Sequence, residues 1–313
     1  WASQSHAQPV ETIFLDLPQI TETSSPHAPY VAASARPWTA PVALYKDQGR
    51  DEWELDQIIG NPSTIGKLLT ALTAGPIDRI DTGRSVEVQL REGTLTSVSR
   101  ATLLSGGNRA AFGHANGVWE VMQFKTAELI APKTYRLSGL VRGQFGTNVE
   151  MPHKWDAGTQ FVLLDDNIEQ LTISESDLGV ENSYLFGPTS ASFETDVYRC
   201  KVTTFQGIGL RPLSPCHVTA TVVGNEIKCR WIRRGRVSAD RWWDTDIPIT
   251  DDGTVFDVVL GQGSDRLIQQ TVTDTKLRLV LPSASVANGP LWFSVAQVSS
   301  RYGSGPSTVC TVQ

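Results

Sequence analysis

Methionine is nearly missing from this sequence, at 2 of 313 residues, and histidine (5) and cysteine (4) are almost as sparse. The four cysteines, Cys200, Cys216, Cys229 and Cys310, form no C-x-x-C pair, and none stands at metal-ligand spacing from a histidine. Free thiols in or near strands are expected, with no metal site. No run of about 18 apolar residues occurs, so no transmembrane segment is expected. Basic residues are in the minority, 27 Lys and Arg against 33 Asp and Glu, for a formal charge of -6. That balance argues against a general attraction to nucleic acid or anionic membranes, and no specific nucleic-acid partner is expected. Neither a Met, a basic n-region nor an apolar h-region opens the chain at Trp1, which reads as the cut or processed edge of a longer polypeptide.

What is plentiful points to strands and turns. Nine Trp, 26 Gly and 17 Pro suit short strands joined by tight turns better than long helices, so the fold class is mainly β. Single cores rarely grow far beyond ~250 residues, which sets a prior of two domains.

Residues 1–40 are polar and dotted with proline around one apolar cluster, Ile13 to Leu17, and read as an extended N-terminal arm or linker. A β-rich domain is expected over 41–180. In it PVALYKDQ is a strand, IGKLLTALTAGP a short helical turn, and RSVEVQLREG a half-buried strand whose Val86, Val88 and Leu90 alternate with polar residues. WEVMQFKTAELIAP, YRLSGLVRG and TQFVLLDD continue the strand pattern at hairpin-like spacing. Residues 181–215 read as a connector carrying a strand or two, with the boundary near Pro212 to Pro215. Over 216–313, seven short strand segments follow in about a hundred residues, the count of an immunoglobulin-like sandwich. The last pair, LWFSVAQVSS and STVCTVQ, is similar to the closing hairpin of fibronectin type III domains, and Trp231 stands where that family places a core tryptophan.

Several constellations invite a chemical reading. LSGLVRGQFG would need a following helix to grip a phosphate, but TNVEMPHKWDAG has a proline and no helical period. Gly139, Gly143 and Gly146 are better explained as positive-φ positions, with Arg136 and Arg142 pairing with carboxylates. GGNRAAFG fails the same test and reads as a hairpin loop. Asp165 and Asp166 are sequence neighbours, so a strand would aim them to opposite faces; with Asn167 they read as a strand-ending turn, not a glycosidase pair. His114 and His153 lie in Gly- or Pro-containing loops with no G-x-S-x-G elbow or HExxH to anchor them. In WIRRGRVSADRWWD, Arg233, Arg234, Arg236 and Arg241 stand beside Trp231, Trp242 and Trp243. That mixture can stack on sugars or partner side chains, or pair internally with the nearby acids.

One tract carries a resemblance. Trp119, Glu120, Gln123, Phe124, Ala127, Glu128 and Leu129, followed by Tyr135, Arg136, Leu137, Gly139, Leu140, Arg142, Gly143, Gln144, Gly146 and Thr147, match a pattern wE-x-x-qF-x-x-AeL…YrLsgLlRGq-GT. With GPIDRIDTGRSVEVQL, AGTQFVLLDD and WIRRGRVSADRWWD, it resembles the C-terminal region of the tail-tip host specificity, tail hub or megatron proteins of gene transfer agents and tailed phages, over roughly residues 40–313. The resemblance implies a β-rich tail-hub domain ending in a fibronectin type III-like sandwich. It also implies a homotrimer at the distal tail tip of a virion, made in the bacterial cytoplasm, bound to other baseplate proteins and reaching toward a host surface glycan or outer-membrane receptor. No enzyme activity, catalytic residue or cofactor is expected, and Arg136, Arg142, Arg233, Arg234, Arg236, Arg241, Trp242 and Trp243 are the candidate interface or receptor surface. The alternative is a carbohydrate-binding or carbohydrate-cleaving envelope-recognition module that uses Trp242 and Trp243 as stacking platforms.

Overall fold

The structure is a computed structural model that describes residues 9–21, 23–49, 52–114, 117–192, 195–236, 254–280 and 289–313. It divides into two compact units, Trp1–Gly209 and Leu210–Gln313. In chain order the first unit holds β1 (Glu11–Leu15), β2 (Tyr30–Ser34), β3 (Val42–Asp47), β4 (Trp53–Ile59), β5 (Ile65–Leu68), β6 (Leu72–Thr73) and β7 (Asp81–Leu90). A short helix, α1 (Arg100–Leu104), leads to β8 (Arg109–Gly113), β9 (Trp119–Ala131), β10 (Thr134–Gln144), β11 (Lys154–Trp155), β12 (Gln160–Leu163), β13 (Glu169–Gln170), β14 (Glu181–Pro188) and β15 (Arg199–Thr204). The second unit holds β16 (Cys216–Val223), β17 (Glu226–Ile232), β18 (Val255–Gln262), β19 (Asp265–Val272), β20 (Lys276–Val280), β21 (Leu291–Ser299) and β22 (Gly303–Thr311). The expectation of a mainly β chain holds.

The centre of the first unit is a closed antiparallel barrel in the order β10-β7-β5-β12-β8-β9. Closure removes every free edge, the liability of an open sheet. Alternation along the strands fills the interior with Val86, Val88 and Leu90 of β7, Met122 and Phe124 of β9, and Phe112 and Phe161 of β8 and β12, all within one buried cluster. The helical turn expected in IGKLLTALTAGP is replaced by β5 and β6: tertiary pairing of Lys67 with both Gln89 and Gln160 outweighs a weak local helical preference. GGNRAAFG is likewise not a hairpin loop. Its Arg109–Gly113 half is the barrel strand β8, paired with β9 and β12.

The N-terminal arm expected over residues 1–40 is, from Glu11 onward, part of the fold. Strands β1 and β2 pair with each other and β13 joins β2, making a three-stranded sheet buried on both faces. Ile13, Leu15, Tyr30 and Ala32 pack on the barrel's outer wall at Ile65, Val121 and Val162, while Phe14, Val31 and Ala33 pack on Leu44, Tyr184 and Phe186. Those last three belong to the four-stranded sheet β15-β14-β3-β4, so the connector expected over 181–215 supplies two of its strands. The boundary between units falls at Gly209 and Leu210, just before the expected Pro212 to Pro215.

All seven strands expected in the last hundred residues form. They make a three-stranded sheet β16-β17-β20 and a four-stranded sheet β19-β18-β21-β22, the strand arrangement of a fibronectin type III sandwich. Trp231 is 4% exposed and lies against Phe256 and Phe293, with ring centroids 5.5 and 5.8 Å away, which makes it the core tryptophan expected. Among the described residues no helix is long and apolar enough to cross a membrane.

Candidate functional site

The tract that carries the sequence resemblance forms β9 and β10 of the barrel, and its two arginines part company. Arg136 and Arg142 are six residues apart, so strict alternation would put both on one face of the strand. Tyr135 and Leu137 point inward, and the next inward residue is Leu140, not residue 139. Gly139 takes φ +65° at a register shift against β7, a bulge that moves the strand's alternation on by one residue. Arg142 therefore turns into the barrel. Gly143, at φ +63°, lies at a second register shift, between Val141 and Gln144 against β9. YRLSGLVRG, read as a strand in the sequence, is thus one long strand with two irregularities, because Gly139 and Gly143 adjust its phase instead of reversing it.

Inside the barrel, Arg142 meets an acid that sequence reasoning had passed over. Glu120 points inward on β9 in phase with Met122 and Phe124, and both Glu120 and Arg142 are fully buried. The guanidinium grips the carboxylate at two points: Nε donates to Oε1 at 2.6 Å and Nη2 to Oε2 at 2.7 Å. The Gly143 amide donates to Oε1 at 3.1 Å, and Trp155 Nε1 to Oε2 at 2.7 Å. Arg142 Nη1 donates to the Thr73 carbonyl at 3.1 Å, which ties the node to β6; β6 pairs with β11, the strand carrying Trp155. A carboxylate has about four acceptor positions, and four donors fill them here. Glu120 therefore has no lone pair left for general-base work or for a metal. The arrangement is a structural clamp: two opposed charges desolvated together and hydrogen-bonded throughout, the one condition under which a buried pair is tolerated.

Arg136 remains on the outer wall. In the row Glu87, Arg136, Glu128 across β7, β10 and β9 it reaches Glu87 at 3.0 Å and Glu128 at 3.5 Å, with 46% of its side chain exposed. Both arginines bond within one chain. Phe145, at φ +56°, lies beneath the Arg109 guanidinium, 5.1 Å from its ring centroid. Burial pulls the pKa of Arg109 below the usual arginine value.

The remaining sequence candidates divide between the second unit and undescribed residues. Arg233 is 8% exposed; the Arg234 amide donates to Gln297 Oε1 at 2.6 Å while Gln297 Nε2 returns a bond to the Arg234 carbonyl at 2.8 Å. Arg236 donates through Nε and Nη2 to the Arg211 carbonyl. All these contacts lie within the second unit: Arg234 is held there through its backbone and Arg236 through its guanidinium. Arg241, Trp242 and Trp243 lie outside the described residues. Asp165 closes the strand-ending turn expected of it, accepting from the Asn167 amide at 3.1 Å. His114 lies beside the Trp155 ring, centroids 5.8 Å apart. Glu120 and Trp155 are what the sequence reading missed. The available signal was an acid set inside the apolar run W-E-V-M-Q-F, on the inward phase.

One comparison falls on the barrel. Residues 63–162 match the family model described as Rcc01698-like, C-terminal, and the barrel strands run from Ile65 to Leu163. A search of curated proteins gives no match. Among solved structures, the chicken CNTN1 FN1-FN3 domains are 8% identical, with 98% of this chain and 99% of that one covered at a TM-score of 0.24. The central fibronectin-III array of RIM-binding protein is 10% identical, with 98% and 97% covered at a TM-score of 0.23. The sandwich assignment rests on the strand order of the second unit, and the match to the family model covers the barrel.

Proposed function

We propose that this chain is a structural component of the tail tip of a tailed phage or gene transfer agent, a baseplate hub protein that helps assemble the distal tail and contributes to host attachment. In this reading it works as a homotrimer among other tail-tip proteins in the virion and performs no catalysis. The observation that carries the proposal is the placement of the resembling tract. Its residues build β9 and β10, and its two most distinctive polar members, Glu120 and Arg142, bond to each other in the barrel interior. A motif whose charged residues satisfy one another is a motif that specifies a scaffold.

The carbohydrate-module alternative rested on Trp242 and Trp243, and no observation on the described residues favours it over the scaffold. Immunogold labelling of an epitope-tagged chain in purified particles is the test. Label concentrated at the distal end of the tail is expected. Label on the head, or a chain that never co-purifies with particles, overturns the proposal. Mass photometry of the isolated full chain should give a trimer mass, and a stable monomer at micromolar concentration would sink the homotrimer.

A further inference from the structure

The four-stranded sheet of the first unit ends in an open edge. β15 pairs with β14 alone, and among the described residues no strand stands on its other side. Beside it lies a groove of about 530 Å³ whose lining includes Val202, Thr203, Thr204, Phe205 and Gln206 in unbroken order. Side chains on a strand alternate between its faces, so a groove over one face would meet every second residue. One that meets five in succession runs along the backbone edge. An edge strand is a template for another chain unless lysine, proline or a bulge blunts it. VTTFQ holds neither lysine nor proline, its valine and two threonines favour strand geometry, and the register of β15 with β14 runs without a bulge.

The rest of the lining is apolar or acidic. Phe14, Trp119 and Ile208 supply apolar surface, and Val118 and Val202 are 50% and 48% exposed. Three acids, Asp16, Glu150 and Glu181, share the groove, and no lysine, arginine or histidine lines it. Asp16 accepts from the Gly207 and Ile208 amides at 3.1 and 2.9 Å, neutral donors that leave its charge in place. Glu181 is exposed, and its side chain has neither an ion pair nor a hydrogen bond among the described residues. Lys201, just before the run, is turned onto the Phe14 ring, 5.4 Å from its centroid, and is not part of the lining. Three like charges repel a polyanion and complement a cationic chain.

We infer that this groove takes an extended, basic segment of a partner protein as an added strand beside β15. Main-chain hydrogen bonds to the strand edge supply the affinity, as in other cases of strand addition, and alternate side chains supply the selection. Basic side chains on one face of the incoming strand meet Glu181 and its neighbouring acids, while apolar ones on the other meet Phe14 and Trp119. The edge matches about five residues, ~17 Å of extended chain at ~3.3 Å each. A second copy of this chain, at a net charge of -6, would on balance bring acid to acid. The inference stands on the groove and not on the assembly proposed above: a chain that binds such a segment but never reaches a tail would refute that assembly alone.

Fluorescence anisotropy of the labelled peptide Lys-Val-Arg-Val-Lys-Val-Arg against the full chain tests it, beside the peptides with glutamate or threonine at every basic position. Saturable binding of the basic peptide is expected, weakening as salt rises, with none of the acidic one and at least tenfold weaker binding of the threonine one. Glu181→Lys should weaken binding at least tenfold and leave the melting curve in place, since Glu181 has no partner to lose. Glu169→Lys, outside the groove, should leave binding unchanged. Strand pairing uses every second amide of the peptide. N-methylation of one alternate set should therefore abolish binding, and N-methylation of the other should spare it. Absence of saturable binding overturns the inference, as does affinity unaffected by Glu181→Lys or an equal response to the two N-methylated sets. So does a chain that doubles in mass with concentration and loses peptide binding as it does so, which would give the groove to a second copy.

Discussion

Replacing Glu120 by alanine removes the acceptor for four donors at once, and the size of the penalty follows from what is left behind. The Arg142 guanidinium stays at 0% exposure with one remaining bond, to the Thr73 carbonyl, and Trp155 Nε1 and the Gly143 amide lose their acceptor. Breaking a buried pair in this one-sided way costs about 3–5 kcal/mol, because the surviving charge cannot reach water. For a unit of this size each kcal/mol lowers the melting point by roughly 2–4 °C, so the first unit should melt roughly 6–20 °C lower. Differential scanning calorimetry reads this directly, and the transition of the second unit serves as the internal control. Arg142→Met should cost a similar amount for the mirror reason, a stranded carboxylate. The discriminating variant is the double one. Glu120→Leu with Arg142→Met leaves no buried charge, so its cost should not exceed that of either single change, since apolar replacement of a whole buried pair is often neutral. Additive losses in the double variant, or a single loss below about 1 kcal/mol, would refute the clamp. Arg136→Ala supplies the contrast: its ion pairs are half exposed, and its loss should stay within about 1 kcal/mol and shrink further with salt.

Three further outcomes follow. Gly139→Ala forces a side chain onto φ +65° and puts its Cβ 2.8 Å from Lys125 Cβ, so urea denaturation should show a loss of about 1–2 kcal/mol or more; an unchanged midpoint would remove the bulge from the account. Asp177 bonds Lys46 Nζ at 2.8 Å and accepts from the Ser174 amide, and the Lys46 bond is the main reason its pKa lies below the usual aspartate value. A carboxylate lowered in the folded state stabilises above its unfolded pKa of about 3.9 and loses that contribution as pH falls through the lower folded value. The urea midpoint of the wild type should therefore exceed that of Asp177→Asn at pH 6, and the gap should close on acidification; a gap independent of pH would contradict the linkage. Burial, reinforced by the neighbouring Cys310, pushes the Cys229 thiol up to about 12, whereas Cys200 is exposed. At pH 8 a maleimide should label Cys200 in the folded chain and Cys229 only after unfolding, and mass mapping of the labelled peptides decides it.

How much was legible depended on whether alternation was visible. Strand β17 of the second unit keeps one face toward the core, so Ile227, Cys229 and Trp231 alternate with exposed Lys228, Arg230 and Ile232, and turn residues separate the runs. β7 is equally plain in Val86, Val88 and Leu90. β1 and β2 are buried on both faces, and a strand of that kind loses its period: YVAAS and ETIFL give no alternation to read, and the prolines around them suggested an arm. The candidate site failed for a different reason. Glu120 was visible as an acid in an apolar run, and Arg142 as a conspicuous cation 22 residues on, but period-two counting puts Arg142 on the same face as Arg136, in the solvent. Only the backbone of Gly139 undoes that count. A glycine with positive φ inside a strand does not announce itself as a bulge rather than a turn, since both uses need the same missing Cβ. One residue's dihedral thus decides whether an arginine is a surface contact or the centre of the barrel, and the pairing of Glu120 with Arg142 is the feature against which that reading of Gly139 stands or falls.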